Sequence, residues 1–365
     1  MDTMTKTKRV YNFGAGPCTL PLEALEEAQK ELVSFKGAGM SIIEMSHRSK
    51  EYDAIHQETL ALLKEIYGAP ADFDVLIVQG GATLQFSMLP MNLLAPDKKG
   101  AYVVSGTWAK KALKDAQIYA NAYTAWDGKS ENYTRMPSTN ELKLEEGTRY
   151  LHITSNETIG GIRFTDFPDV NVPMVADMSS DFMSRAIPWE KFDVVYGGAQ
   201  KNLGPAGAAI VFIRKSVLEH TNKNVGAYLR YDIHSEKESL YNTPPVFTIH
   251  MINLVLKWVK SIGGLAAIEK RAEKRAAILY NYIDASNGYY NCPVNKANRS
   301  MMNIVFRLPS EELEAKFIAE SKVAGFIGLK GHRSVGGCRA SCYNALPIEG
   351  VEALVSFMDT FKKAN

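Results

Sequence analysis

The most constraining feature of this chain is a run of short, uninterrupted apolar segments, each followed by a helical pattern. Val75-Leu76-Ile77-Val78 leads into a helix marked by Phe86, Leu89 and Leu93, and Ala101–Ser105 leads into one over Trp108–Ala116. Tyr150–Thr154, Val172–Ala176 and Val194–Tyr196 are further runs of this kind. A strand with one wet face alternates apolar and polar residues, whereas a strand buried on both faces need not. The pattern therefore predicts an α/β fold, a mainly parallel sheet with helices on both sides. Ala208–Arg214 follows its predecessor too closely for a crossover, so it is expected to run antiparallel to it. Earlier in the chain, helical spacing predicts helices over Pro21–Phe35 and Ser49–Tyr67, the second stopped by Gly68.

Near Thr248 the character changes. Ile249–Ser261 and Leu265–Ala285 read as long helices broken by Gly263-Gly264. A strand (Met301–Leu308), a helix (Glu311–Ala324), a strand around Arg339–Asn344 and a last helix (Glu349–Lys362) follow. This α+β order predicts a second, smaller domain over residues 256–365, behind a large domain over 16–255. The 365 residues suffice for two cores. Lys and Arg number 42 against 40 Asp and Glu, a net charge of +2, without the basic excess of a nucleic-acid binder. Any anion site must then be a local arrangement of charge. Four cysteines (Cys18, Cys292, Cys338, Cys342) are too few for a disulfide scaffold and lack zinc-site spacing, so no metal is expected. No apolar run follows the charged start, and none is long enough to span a bilayer. A cytoplasmic protein without a membrane partner is the default expectation.

In open α/β sheets, ligands sit beyond the carboxyl ends of the strands, so the residues following each strand carry the functional signal. After Val78 comes Gln79-Gly80-Gly81-Ala82-Thr83, a turn into a helix whose free N–H groups suit a phosphate. Alone it is ordinary loop geometry. Gly106-Thr107-Trp108 puts an indole at the same rim, where a core role is the bland alternative. Asp177 ends VPMVAD and by itself reads as a helix cap. Lys201 ends Val194–Lys201, and a lone lysine is usually solvated. Together these parts match one cofactor. Pyridoxal 5′-phosphate needs a lysine for its Schiff base, an acid for its ring nitrogen, a flat ring to stack on and a helix start for its phosphate.

The motifs Asn12–Pro17 (NFGAGP), Ser46–Ser49 (SHRS), Gln79–Phe86 (QGGATLQF), Ser155–Thr158 (SNET), Gly197–Asn202 (GGAQKN), Tyr241–Pro245 (YNTPP) and Gly331–Ser341 (GHRSVGGCRAS) resemble those of the phosphoserine aminotransferases. That family belongs to class V of the fold-type I pyridoxal-phosphate enzymes. The resemblance runs from residue 12 to 341 and implies a homodimer with active sites at the subunit interface. It implies that residues 1–15 form an arm against the small domain. Lys201 would carry the cofactor and move the proton, and Asp177 would keep the ring nitrogen protonated. Trp108 would stack on the ring, and Thr158 would bond the phenolic oxygen. Ala82, Thr83 and Gln200 would hold the phosphate, joined by Asn242 and Thr243 of the neighbouring subunit. Arg339 would clamp the substrate α-carboxylate, and His47, Arg48, His332 and Arg333 would receive the phosphate of phosphoserine or the distal carboxylate of glutamate. Some members have GGGRGQF where this chain has GGATLQF, so Thr83 replaces an arginine and phosphate recognition shifts towards the two His-Arg pairs. The implied reaction is 3-phosphohydroxypyruvate plus L-glutamate giving O-phospho-L-serine plus 2-oxoglutarate, within L-serine biosynthesis.

Three alternatives are weaker. A cysteine desulfurase needs a reactive thiol on a mobile loop, and Cys338 approaches a strand. A NAD dehydrogenase needs a third glycine, yet Gly14-Ala15-Gly16 continues as Pro17-Cys18-Thr19. A non-catalytic binding protein on the same scaffold would be expected to have lost Lys201 or Asp177.

Overall fold

A computed structural model describes residues 9–365; the first eight residues of the expected N-terminal arm lie outside the described residues. Seven strands form the central sheet: β1 (Phe73–Gly80), β2 (Lys99–Val104), β3 (Asn121–Asp127), β4 (Thr148–Thr154), β5 (Met174–Asp177), β6 (Phe192–Gly198) and β7 (Gly207–Arg214). Their spatial order is β1-β7-β6-β5-β4-β2-β3. Six run in one direction, and β7 lies antiparallel between β1 and β6, as its short connection required.

The continuous apolar runs feed two cores at once. Along β7, Ile210 and Phe212 enter the core on one face while Val211 and Ile213 enter the core on the other. Each such side chain contributes roughly 1.5–3 kcal/mol on full burial, which holds the helices to both faces. Edge strand β3 is covered differently. Only Ala122 and Ala125 are buried along it, so it gives no continuous apolar run, and sequence periodicity missed it.

The helix expected over Pro21–Phe35 ends earlier, at Glu31, because Leu32 and Val33 turn to solvent and Phe35 enters the core from a separate short turn. The next helix, Lys50–Tyr67, is capped as read: the Ser49 hydroxyl accepts the Tyr52 N–H, and Gly68 stops it at φ 59°. Helices Val246–Ser261 and Gly264–Asp284 meet at 83°. Gly263 and Gly264 make that corner at φ 105° and 73°, a conformation that side chains resist. The expected boundary at residue 256 falls inside the first of these helices, so the geometric break is the glycine pair. No single helix among the described residues is long and apolar enough to cross a membrane.

A third core gathers Phe13 with Leu279, Phe306, Phe317, Leu354 and Phe361. Its strands are the antiparallel pair Asn303–Phe306 and Cys338–Ser341. Tyr11–Asn12 pairs in parallel with Phe326–Ile327, which ties the start of the chain to this core. From there Gly14–Gly16 passes over the large sheet, and a Cβ on Gly16 would stand 3.2 Å from Lys201 Cγ.

Candidate active site

The parallel strands end at one edge of the sheet, and that edge is where the candidate residues collect. Gly81, Ala82, Thr83, Trp108, Thr158, Asp177, Gln200 and Lys201 line one cavity of about 100 Å³. Helix Ala82–Leu93 opens on it with no side-chain cap, so its first-turn N–H groups point into the cavity and suit an anion. Asp177 is the last residue of β5 and is paired in register with Thr154 at the end of β4. Its Oδ1 accepts from the Ser179 N–H (2.9 Å) and hydroxyl (2.6 Å). Those bonds fix the carboxyl group and leave Oδ2 for a ligand. Burial raises its pKa, and Ser179 and Lys201 pull it back.

Lys201 follows β6 on a tight turn. Its Nζ donates to Thr158 Oγ1 at 2.6 Å, and the residue is 8% exposed. Burial lowers its pKa to about 8, although Asp177 and Glu157 favour the charged form. A lysine so tuned exchanges a proton near neutral pH.

A second cavity, of about 160 Å³, adjoins the small-domain strand pair and is lined by His332 and Arg339, with Ile159, Val305 and Tyr133. Thr158 connects the two cavities: its carbonyl accepts Arg339 Nη1 at 3.2 Å while its hydroxyl takes Lys201. Arg339 Nε is buried without a partner, a donor left for a carboxylate. His332 Nδ1 accepts the Ser334 N–H at 3.2 Å, which assigns the ring proton to Nε2. Burial, with Arg339 and Arg333, lowers the His332 pKa, so the ring is a neutral donor at pH 7.

Other sequence candidates lie apart. His47 is half-buried and Arg48 exposed, on the turn before helix 50–67. Asn242 and Thr243 are exposed, and the Thr243 carbonyl accepts Gln79 Nε2. None of these four lines either cavity. Arg333 is exposed beside His332. Cys338 lines the second cavity, but burial pushes its thiol to about 12, which removes the thiolate a desulfurase needs.

Sequence reading assigned no role to Thr154 and Ser179, which line the first cavity, or to Glu157, which lies outside its lining. Thr154 ends β4, and its Oγ1 is buried without a partner. Ser179 holds Asp177. Glu157 lies beneath Trp108, with its oxygens on the N–H groups of Ala109 (2.9 Å) and Trp108 (3.3 Å). The strand-end rule that found Asp177 also finds Thr154, since both close apolar strands at the same edge.

A family model of class-V aminotransferases matches residues 10–354, and the chain belongs to that family. Within it, the chain is a member of the phosphoserine aminotransferases. A phosphoserine aminotransferase of Lysinibacillus sphaericus is 52% identical over 98% of this chain and 99% of its own length, and that of Bacillus subtilis is 50% identical over the same shares. The solved phosphoserine aminotransferase of Bacillus circulans subsp. alkalophilus superposes with a TM-score of 0.96, at 49% identity, over 98% of this chain and 99% of that one. The pyridoxal-phosphate-bound enzyme of Trichomonas vaginalis gives a TM-score of 0.92 at 39% identity, over 96% of this chain and 100% of that one. The cavity fits that cofactor. It offers a tuned lysine, a carboxylate oxygen free for a ring nitrogen, a helix start for the phosphate, and two buried unpartnered donors, Thr154 Oγ1 and Trp108 Nε1.

Proposed function

We propose that this chain transfers the amino group of L-glutamate to 3-phosphohydroxypyruvate, reversibly, giving O-phospho-L-serine and 2-oxoglutarate in L-serine biosynthesis. The observation that carries this reading is Thr158, which joins a buried Lys201 in one cavity to Arg339 in the next. A proton carrier and a carboxylate clamp thus lie one residue apart.

Bound pyridoxal 5′-phosphate supplies an electron sink for the bond broken at the substrate α-carbon. Ala82, Thr83 and Gln200 would hold its phosphate, Trp108 its ring face, Asp177 its ring nitrogen and Thr158 its phenolic oxygen. Lys201 Nζ holds the mobile proton and, once neutral, removes it from the α-carbon. Burial raises the pKa of Asp177, while the Ser179 hydrogen bonds to Oδ1 and the nearby Lys201 favour its anion. Arg339 orients the substrate through its α-carboxylate, bidentately, with the carbonyl of Thr158 fixing the guanidinium plane. His332 and Arg333 meet the distal phosphate or carboxylate.

The remaining groups come from a second copy in this reading. His47, Arg48, Asn242 and Thr243 sit on two loops that also expose Met40, Ile43 and Tyr241. Apolar side chains beside unused cations mark a surface that another subunit covers. The active unit is then a homodimer with its sites at the interface. We assign residues 9–15 to an arm on the small domain, with the large domain ending at the Gly263-Gly264 corner. We assign the chain to the cytoplasm, and no single helix among the described residues is long and apolar enough to cross a membrane.

A coupled assay with 2-oxoglutarate as acceptor tests the function. Phosphoserine is expected to turn over far faster than serine or alanine. Equal rates on serine and phosphoserine would refute the assignment of the distal pocket.

A further inference from the structure

We propose that Glu157 is a positioning residue, which caps the Trp108 helix from a neighbouring strand and so fixes the indole beside Lys201. The proposal rests on the reading above, in which this cavity holds pyridoxal 5′-phosphate against Trp108.

Helix Thr107–Tyr119 starts at Gly106 and carries no side-chain cap of its own. Its first-turn N–H groups are buried and need an acceptor. Glu157 provides it from outside the helix, with one carboxylate oxygen for Ala109 and the other for Trp108. The side chain is 1% exposed. Its fit is tight, since a Cβ on Gly106 would stand 2.6 Å from Glu157 Cδ. The absence of a side chain at 106 is therefore what admits the carboxylate.

The support behind Glu157 is rigid. Asn156 and Glu157 pair with Arg163 and Ile162 in a short antiparallel hairpin. Asn156 Nδ2 reaches Ser180 Oγ (2.8 Å) and Asn303 Oδ1 (2.9 Å), which links the hairpin to both domains. Thr158, the next residue, holds Lys201 and Arg339. A two-residue stretch thus sets the indole on one side and the lysine on the other. Two ammonium groups approach the Trp108 ring, Lys201 Nζ at 6.0 Å and Lys111 Nζ at 4.5 Å from its centroid.

The charge of Glu157 is also felt by its neighbours. Burial raises its pKa to about 7, the Ala109 and Trp108 N–H groups oppose that, and Asp177 adds to it. The groups facing it are therefore Asp177 and Lys201, with the positive end of the helix. A carboxylate here favours the protonated form of Lys201, so its removal moves the lysine's titration down in pH.

The test compares Glu157→Gln with the wild type by pyridoxal 5′-phosphate titration and by the pH midpoint of the bound cofactor's visible band. Glutamine keeps the shape but turns an amide N–H towards a backbone N–H. We expect about tenfold weaker cofactor binding and a midpoint lower by on the order of 0.5 pH unit. Gly106→Ala crowds the carboxylate without removing its charge. It is expected to weaken binding while leaving the midpoint in place, and it carries the test if the glutamine protein does not fold. Wild-type affinity together with a wild-type midpoint in Glu157→Gln overturns the proposal. A wild-type chain that binds no pyridoxal 5′-phosphate overturns instead the reading on which it rests.

Discussion

The cofactor cavity and the substrate rim of this molecule are built by opposite means. The cavity comes from strand ends, where its lysine is bonded to its threonine and its acid is held by Ser179, all buried within one chain. The rim comes from loops. Arg339 and His332 meet in one cavity, whereas His47 and Arg48 stay outside it. The difference teaches that strand ends can bury and align a lysine and an acid within one chain, while the fold of that chain does not bring the basic loops of the rim together. A net charge of +2 is then no obstacle, since the positive charge that matters is local.

The largest effect should come from the cavity. Lys201→Ala is expected to abolish the covalent cofactor band and to lower kcat by about 10⁴-fold or more. Retention of the band would break the account of the cavity. The same lysine gives the comparison a pH signature. Its neutral form grows as pH rises through about 8, so covalent uptake of pyridoxal 5′-phosphate by the apoprotein should accelerate between pH 7 and 9. A flat rate over that range would contradict a burial-depressed lysine.

Rim substitutions should be weaker and graded by burial. Arg339→Ala removes a mostly buried guanidinium held by Thr158 and is expected to raise KM about 10²-fold for glutamate and phosphoserine alike. Arg333→Ala, at an exposed position, should raise KM for phosphoserine by about tenfold and leave cofactor affinity unchanged. Steady-state kinetics on both substrates, with cofactor titration, read all of these values. Equal losses from the two arginines would erase the distinction between buried clamp and exposed rim.

The same contrast governs what could be read from the sequence. Strands β1, β2, β4, β5, β6 and β7 were legible because burial on both faces leaves an unbroken apolar run, and the antiparallel β7 followed from its short connection. Strand β3 was not, because its half-exposed edge position buries only Ala122 and Ala125 and leaves no unbroken run. Helix ends drifted where exposed apolar residues, Leu32 and Val33, prolonged the apparent period. In the site, Asp177 and Lys201 were visible as polar residues closing apolar strands. Thr154 was hidden because threonine is an ordinary strand former. Glu157 stood within a recognised motif without a role, since its partners are backbone N–H groups 48 and 49 residues away. In the proposed dimer, the positions of His47 and Arg48 relative to Arg339 depend on assembly, which no local pattern encodes.

The central claim, that one chain builds the cavity and a second completes the rim, is tested most directly by mixing two impaired variants and assaying at phosphoserine concentrations where each alone is slow. Lys201→Ala supplies intact rim loops, and a His47→Ala/Arg48→Ala protein supplies an intact lysine. After unfolding and joint refolding, half of the sites in mixed dimers pair a good lysine with a good rim, so activity should return to about a quarter of the wild-type level. No recovery above the separate variants, with dimers present, would place both sets of residues in the same subunit's site and contradict the account.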